Sequence, residues 1–317
     1  MKHDLKVTFY LILIFLIAQA TGLFFLIQTI ESISVENGVI DVVYSEPITG
    51  RPDLKGQDSF TYTLIMIFVG TAILLLLIKF RLFKIWKAWF FLAIFGSLLI
   101  SLSVFIPEIP AIIISLILTY LKLYRSNVYI HNMTEVFMYA GITIMIAPLF
   151  TVFWASLLLV AISIYDAIAV WKLKHMITLA TAQADQKMFA GLLIPYKKSD
   201  EDEKILTSKP LKPAKKTQIK TQIPKGMRDG EVKSAILGGG DIAFPLFYSG
   251  SVMTWLIQTG MQKEFAMLHT MIISVFAALA LGLLLFKGEK NTFYPAMPFI
   301  SAGCFIGYGI IRLILLF

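Results

Sequence analysis

Two aspartates stand inside otherwise apolar runs, Asp166 in "AISIYDAIAVW" and Asp241 in "LGGGDIAFP". A carboxylate inside a bilayer is expensive and usually functional. Glu135 and Glu264 also lie beside apolar runs, but each falls at the end of one and reads as reaching an interface. The aspartates sit deeper. Asp166 comes six residues before Lys172, roughly 9 Å of helical rise, and Asp241 eight residues after Lys233, roughly 12 Å. The two segments run in opposite directions, so the aspartates match in depth on one side of the membrane. Two carboxylates together in a low-dielectric site cannot both ionise easily, so such a pair shares a proton. That arrangement suits peptide hydrolysis: one carboxylate takes a proton from water while the other protonates the carbonyl oxygen. It calls for no metal, no cofactor and no nucleophilic Ser or Cys.

The neighbours of the aspartates fit the same chemistry. Gly238, Gly239 and Gly240 remove side chains where another backbone must come close, and they loosen the start of a helix. A peptide bond within a helix is shielded, so a protease working there needs an extended substrate, and a glycine-rich entry admits one. The plainer reading is small-residue helix packing. In "FYPAMPFIS", Pro295 and Pro298 fall five to eight residues past Lys290, roughly 8–12 Å deep and in the layer of the aspartates. Prolines free backbone groups, which a membrane tolerates beside protein or a water-filled cavity; a proline in the first turn of a helix is the plainer reading. Tyr165 either orients Asp166 through its hydroxyl or packs.

These residues need a frame of membrane helices to hold them. The 317 residues are 57% hydrophobic and 15% charged, with a mean hydropathy of +0.78. Long apolar runs with few charges read as membrane-spanning helices. Ten-residue alternating segments of a β-barrel do not appear. Nine spans are read, at roughly 5–30, 60–79, 86–105, 108–122, 132–149, 151–171, 234–257, 265–286 and 293–316. The first run is too long for a cleaved signal peptide and reads as a retained span. Residues 31–59 form a polar loop with room for a short hairpin, and "IPEIP" at 106–110 is a tight connection. The chain divides into a six-helix part (1–171) with the first aspartate, an insert (172–233), and a three-helix part (234–317) with the second aspartate. In the insert, 171–193 reads as an interfacial amphipathic helix and the Lys- and Pro-rich remainder as flexible.

Basic residues set the orientation. With the N-terminus inside, 24 of the 28 Lys and Arg fall on the inner side, Lys122 and Arg125 among them, and Arg51, Lys55, Lys263 and Arg312 remain outside. This places the N-terminus and the insert in the cytoplasm and the C-terminus outside. The net charge of +8 is then a surface facing anionic lipid headgroups rather than nucleic acid. The sequon "HNMT" at 131–134 faces the cytoplasm and is discounted. The single Cys304 has no partner for an intrachain disulfide and reads as a packing residue.

Taken in order, these pieces resemble the presenilin and signal peptide peptidase family of intramembrane aspartyl proteases. The resemblance covers the nine spans, the long insert, Tyr165-Asp166 in the sixth span, Gly238-Gly239-Gly240-Asp241 as Gly-x-Gly-Asp in the seventh, and Pro295-Ala296-Met297 where the family has Pro-Ala-Leu. It implies an all-α, multi-pass fold with Asp166 and Asp241 as the catalytic pair. It also implies that Pro295, Ala296 and Met297 shape the site and receive substrate. Met for Leu at 297 keeps an apolar side chain of similar volume. The implied substrates are single-span proteins or signal-peptide remnants in the bilayer, with no nucleic acid involved. The stretch before the seventh span pairs with extended substrate in the family, and "TQIKTQIPK" (217–225) alternates suitably. Compactness resembles the archaeal homologues, which belong to a cell membrane and work without partner subunits. Assembly of several copies is compatible with all of this.

Two other readings share some of these features. Prepilin and preflagellin peptidases also use Gly-x-Gly-Asp, but lack a Pro-Ala-x element. A proton-coupled transporter or ion-leak channel also uses buried carboxylates and broken helices. No internal repeat relates the two halves of this chain.

Overall fold

The structure, a computed structural model, describes residues 5–36, 38–125, 127–173, 188–197, 232–287 and 294–316. In chain order its elements are α1 (Leu5–Gln28), β1 (Ile30–Glu36), β2 (Val39–Tyr44), α2 (Gln57–Lys79), α3 (Phe83–Leu102), α4 (Glu108–Tyr124), α5 (Val128–Ile146) and α6 (Val152–Ile168). They continue as β3 (Gly191–Lys197), β4 (Val232–Gly238), α7 (Gly239–Gln258), α8 (Lys263–Lys287) and α9 (Met297–Ile314). The architecture is helical and multi-pass. Among the described residues, seven helices are long and apolar enough to cross a membrane, and α4 and α7 fall short. Helix α4 has 17 residues, about 26 Å of rise against a hydrocarbon core of about 30 Å. Helix α7 is interrupted by Pro245 and carries Gly, Ser and Thr.

Helix α7 lies at the centre. Most of its side chains from Ile242 to Ile257 are buried, and it packs on α1, α5, α6, α8 and α9. Helix α2 is the opposite case: Ser59 alone among its residues is buried, and its apolar side chains are exposed or half-buried, as on a lipid-facing helix. Helices in lipid gain little from hydrophobicity and instead pack through small residues. The seam between α8 and α9 is built this way. A Cβ on Gly303 would stand 2.5 Å from the Phe276 carbonyl, and one on Gly307 2.7 Å from Ile273 Cα. Cys304 lies between them, fully buried.

Two small sheets flank the bundle. The hairpin β1–β2 fills the predicted polar loop, and Tyr44 at its end shares a 2.6 Å hydrogen bond with Thr254 of α7. The second sheet corrects the expectation for the insert. Residues 191–193, read as the end of an amphipathic helix, and 195–197, read as flexible, form β3, which pairs antiparallel with β4. The seventh helix, expected from 234, starts at Gly239 because 232–238 is the second strand. Burial here alternates with a period of two: Leu192, Ala235 and Leu237 are buried and Ile236 is exposed. So short an apolar run is ambiguous between helix and strand until its partner, some 40 residues away in sequence, is known. Gly191 opens β3 at φ 144°, where a Cβ would lie 2.2 Å from the Leu237 carbonyl, so only glycine fits. Of the rest of the expected amphipathic helix, 171–173 end a π-helical turn and 188–190 are not helical, while 174–187, like 217–225, lie outside the described residues.

Candidate active site

Helices α6, α7 and α9 pack against one another, and each contributes to one junction. Helix α6 carries Asp166 in its last turn, just before the backbone widens into a π-helical turn over Ala169–Leu173. Such turns are frequent at functional sites. Asp166 is half-buried, and its Oδ2 accepts the Met297 N–H at 3.1 Å; the Ala296 N–H also donates to this carboxylate. Met297 opens α9, whose N-cap Ala296 supplies no side-chain cap. Every helix leaves its first N–H groups without intrahelical partners. Here a carboxylate from another helix takes them. Ser163 of α6 bonds Ser301 of α9 at 2.8 Å, one turn away from Asp166 and Met297, and fixes their register.

Asp241 is half-buried and is the third residue of α7, the position from which an acidic side chain reaches back to the N-cap. Its carboxylate does fold back: a Cβ on the N-cap residue Gly238 would stand 3.1 Å from Asp241 Oδ2. Gly239 is bounded by the Tyr139 hydroxyl, 2.9 Å from the place of its Cβ, and its N–H reaches the Ala190 carbonyl at 3.3 Å. Gly240 is different, being exposed and touching only Phe244 of its own helix.

The levels of the two aspartates follow from a cross-link between their helices. Ser156 of α6 donates to the Tyr248 hydroxyl of α7 at 3.4 Å. From that contact Asp166 lies ten residues on along α6 and Asp241 seven residues back along the antiparallel α7, about 15 Å and about 10 Å of rise. The carboxylates therefore lie within about 5 Å of one level, on two packed helices. The count from Lys233 itself changes, because strand β4 replaces helix there.

The other expected residues divide. Pro295 and Met297 are buried and Ala296 half-buried at the mouth of α9, and Pro298 lies in its first turn as in the plainer reading. Tyr165 packs edge-on against Phe68 of α2, ring centres 5.6 Å apart, which favours the packing role. An open cavity of about 670 Å³ lies at the far end of the bundle, lined by Arg51, Tyr62, Met66, Met145 and Leu149 among others.

The larger correction concerns α5. Glu135, read as reaching an interface, is fully buried and ion-paired with Lys122, so Lys122 is not a free loop charge. Helix α5 also holds the second sheet. Asn132 donates to the Leu193 carbonyl at 2.8 Å and accepts the Leu193 N–H at 2.9 Å, while His131 Nε2 lies 2.8 Å from the Gly191 carbonyl. The discounted sequon thus contains a structural asparagine. Another buried amide, Gln19 of α1, donates to the Ile242 carbonyl at 2.9 Å, beside Asp241. The spacing His131, Glu135, Tyr139 was the available signal, since residues four apart share one helix face.

Residues 24–316 match the family described as signal-peptide peptidase, presenilin aspartyl protease. Two solved structures of a presenilin family intramembrane aspartate protease share the fold at 17% identity. The C222 crystal form gives a TM-score of 0.57, covering 96% of this chain and 99% of the other, and the P2 form gives 0.54 with 96% of each covered. No curated protein matches the chain.

Proposed function

Because this chain belongs to the signal-peptide peptidase and presenilin family of aspartyl proteases, and is an intramembrane aspartyl protease on that ground, we infer that Asp166 and Asp241 are its catalytic pair. The supporting observation is the junction of α6, α7 and α9: Asp166 is pinned by the Met297 N–H, and by helical rise from the Ser156–Tyr248 contact it falls within about 5 Å of the level of Asp241 on the neighbouring helix. One carboxylate removes a proton from a water held between them as its oxygen attacks the peptide carbonyl. The other carboxylic acid gives its proton to the carbonyl oxygen. Collapse of the tetrahedral diol breaks the C–N bond, the leaving nitrogen takes a proton, and the pair returns to its starting state. The Gly-x-Gly-Asp subtype rests on Gly238-Gly239-Gly240-Asp241.

The second sheet offers a way to present an extended substrate. The outer edge of β3 is occupied at Gly191 and Leu193 by His131 and Asn132. Strand β4 runs directly into Gly239 and Asp241, and its outer edge is the one to which a substrate strand adds. This role belongs to 232–238 in our reading, in place of 217–225. The basic residues orient the N-terminus and the 172–233 insert to the cytoplasm, so the substrates are single-span proteins or signal-peptide remnants with N-termini outside.

The test is cleavage of a single-span substrate by the full chain in liposomes. Cleavage within the span is expected to disappear in Asp166→Ala and Asp241→Ala and to be blocked by transition-state mimics of aspartic proteases. Unchanged cleavage in either variant overturns the assignment, and ion flux without proteolysis would return the transporter reading.

A further inference from the structure

Peptide hydrolysis by two aspartates makes no direct use of the polar cluster inside α4 and α5. Glu135 is 0% exposed, Tyr139 1% and Lys122 4%. Glu135 Oε1 pairs with Lys122 Nζ, and Oε2 accepts the Tyr139 O–H one turn further along α5. One turn in the other direction, His131 Nε2 lies 3.8 Å from Oε1. A buried ion pair loses the hydration of both partners and is often no more stabilising than apolar residues of the same volume. Stability alone therefore gives little reason for this one, and ionisable groups at membrane depth point to function.

The cluster ends at the helix that carries Asp241. The Tyr139 hydroxyl occupies the space beside Gly239, 2.9 Å from where a Cβ would be, and Asp241 lies within electrostatic range of the same hydroxyl. The N-cap of α7 is Gly238, which has no side chain to cap with. Asp241 folds back onto it from within the helix, and from outside the Ala190 carbonyl and the Tyr139 hydroxyl help to hold the first turn in place. Tyr139 is suited to this because its proton is committed to Glu135, and Glu135 is in turn held by Lys122. The hydroxyl cannot swing away from Gly239 without breaking a buried hydrogen bond, and an unmade buried bond is costly.

We propose that Tyr139, fixed by Glu135 and Lys122, is a positioning residue that sets the place of Asp241 through the backbone of Gly239. This rests on reading Asp241 as catalytic. The carboxylate must face Tyr139 for the device to work, because a lysine there has no acceptor for the phenol proton.

The experiment measures kcat, KM and unfolding temperature for the full chain in liposomes with a single-span peptide substrate. In Tyr139→Phe we expect kcat to fall roughly ten- to a hundredfold, the order expected when a reacting group is slightly misplaced, with KM nearly unchanged and a lower unfolding temperature, because buried Glu135 loses a donor. Lys122→Glu and Glu135→Lys are each expected to destabilise the protein. The exchanged pair, K122E with E135K, should recover the unfolding temperature but not kcat. Recovery of kcat in the exchanged pair would reduce the cluster to a structural ion pair and overturn the proposal. If the exchanged pair does not fold, Tyr139→Phe decides alone, and wild-type kcat there overturns it. Asp241→Asn separates the two inferences. Cleavage by that variant refutes the catalytic reading itself, whereas an inactive Asp241→Asn beside a normal Tyr139→Phe refutes only the positioning role.

Discussion

The carboxylate of Asp166, on α6, caps a different helix: its Oδ2 accepts the Met297 N–H at the start of α9, 3.1 Å away. Helix α9 has no side-chain cap of its own. One residue thus closes a helix end and stands in the proposed catalytic pair. Met297, the departure from the family's Pro-Ala-Leu pattern, contributes to this contact through its backbone, which a Leu would supply equally well.

The two roles of Asp166 separate by substitution. Asn retains a side-chain oxygen that accepts the Met297 N–H, whereas Ala does not. Asp166→Asn is expected to abolish cleavage at nearly wild-type stability. Asp166→Ala should abolish cleavage and also lose about 1 kcal/mol, the usual cost of a missing N-cap. Thermal unfolding of the two variants checks this, and equal unfolding temperatures would remove the capping role.

The three glycines are not equivalent. Gly239→Ala would place a Cβ 2.9 Å from the Tyr139 hydroxyl, whereas at Gly240 the Cβ meets only Phe244, at ordinary contact distance of 3.6 Å. Gly239→Ala should therefore lower both stability and kcat. Gly240→Ala should keep the fold and act on KM or on the cleavage position, since that bare, exposed face is open to an arriving backbone. Mass spectrometry of the products together with unfolding curves distinguishes the two patterns.

Gln19 has a support role that can be measured. Pro245 has no N–H, so the Asp241 carbonyl loses its helical donor. Gln19 Nε2 bonds the next carbonyl, that of Ile242, and Ser274 donates to Gln19 Oε1 at 3.5 Å. Gln19→Leu keeps the volume and removes the donor. We expect a loss of about 1–2 kcal/mol in unfolding free energy, with reduced kcat. Wild-type stability and kcat in this variant would show the amide to be dispensable.

Tyr44 gives a pH dependence of known sign. Burial of its hydroxyl, only partly offset by the Thr254 hydrogen bond and nearby Arg51, pushes its pKa from 10.0 up to about 12. The folded state therefore holds this proton more tightly than the unfolded chain does. The stabilisation is complete below pH of about 10 and is lost as pH rises toward about 12. Tyr44→Phe should flatten that part of the stability curve. Unfolding temperatures of wild type and variant between pH 8 and 12 provide the check, with parallel curves counting against it.

Much of the site was legible one residue at a time. Asp166 and Asp241 were conspicuous because hydrocarbon offers a charge nothing, so a carboxylate inside an apolar run needs a reason. Hydropathy placed the helices within a few residues of their ends, since each satisfies its backbone internally and needs no distant partner. The 191–197 and 232–238 strands escape a local reading for the opposite reason. A strand's hydrogen bonds go to another segment, and neither segment reveals its partner by local pattern.

The sequence by itself therefore determined the class of the protein, its two exceptional carboxylates and the family it belongs to. Those properties follow from composition, apolar run length and short motifs, all local. Only the tertiary structure decided that Asp166 caps α9, that Glu135 is sealed in with Lys122 and Tyr139, and that Asn132 holds a strand edge. Each depends on where a polar group finds its partner once water is gone, and that is settled by helices packing across distances of up to 255 residues in the chain.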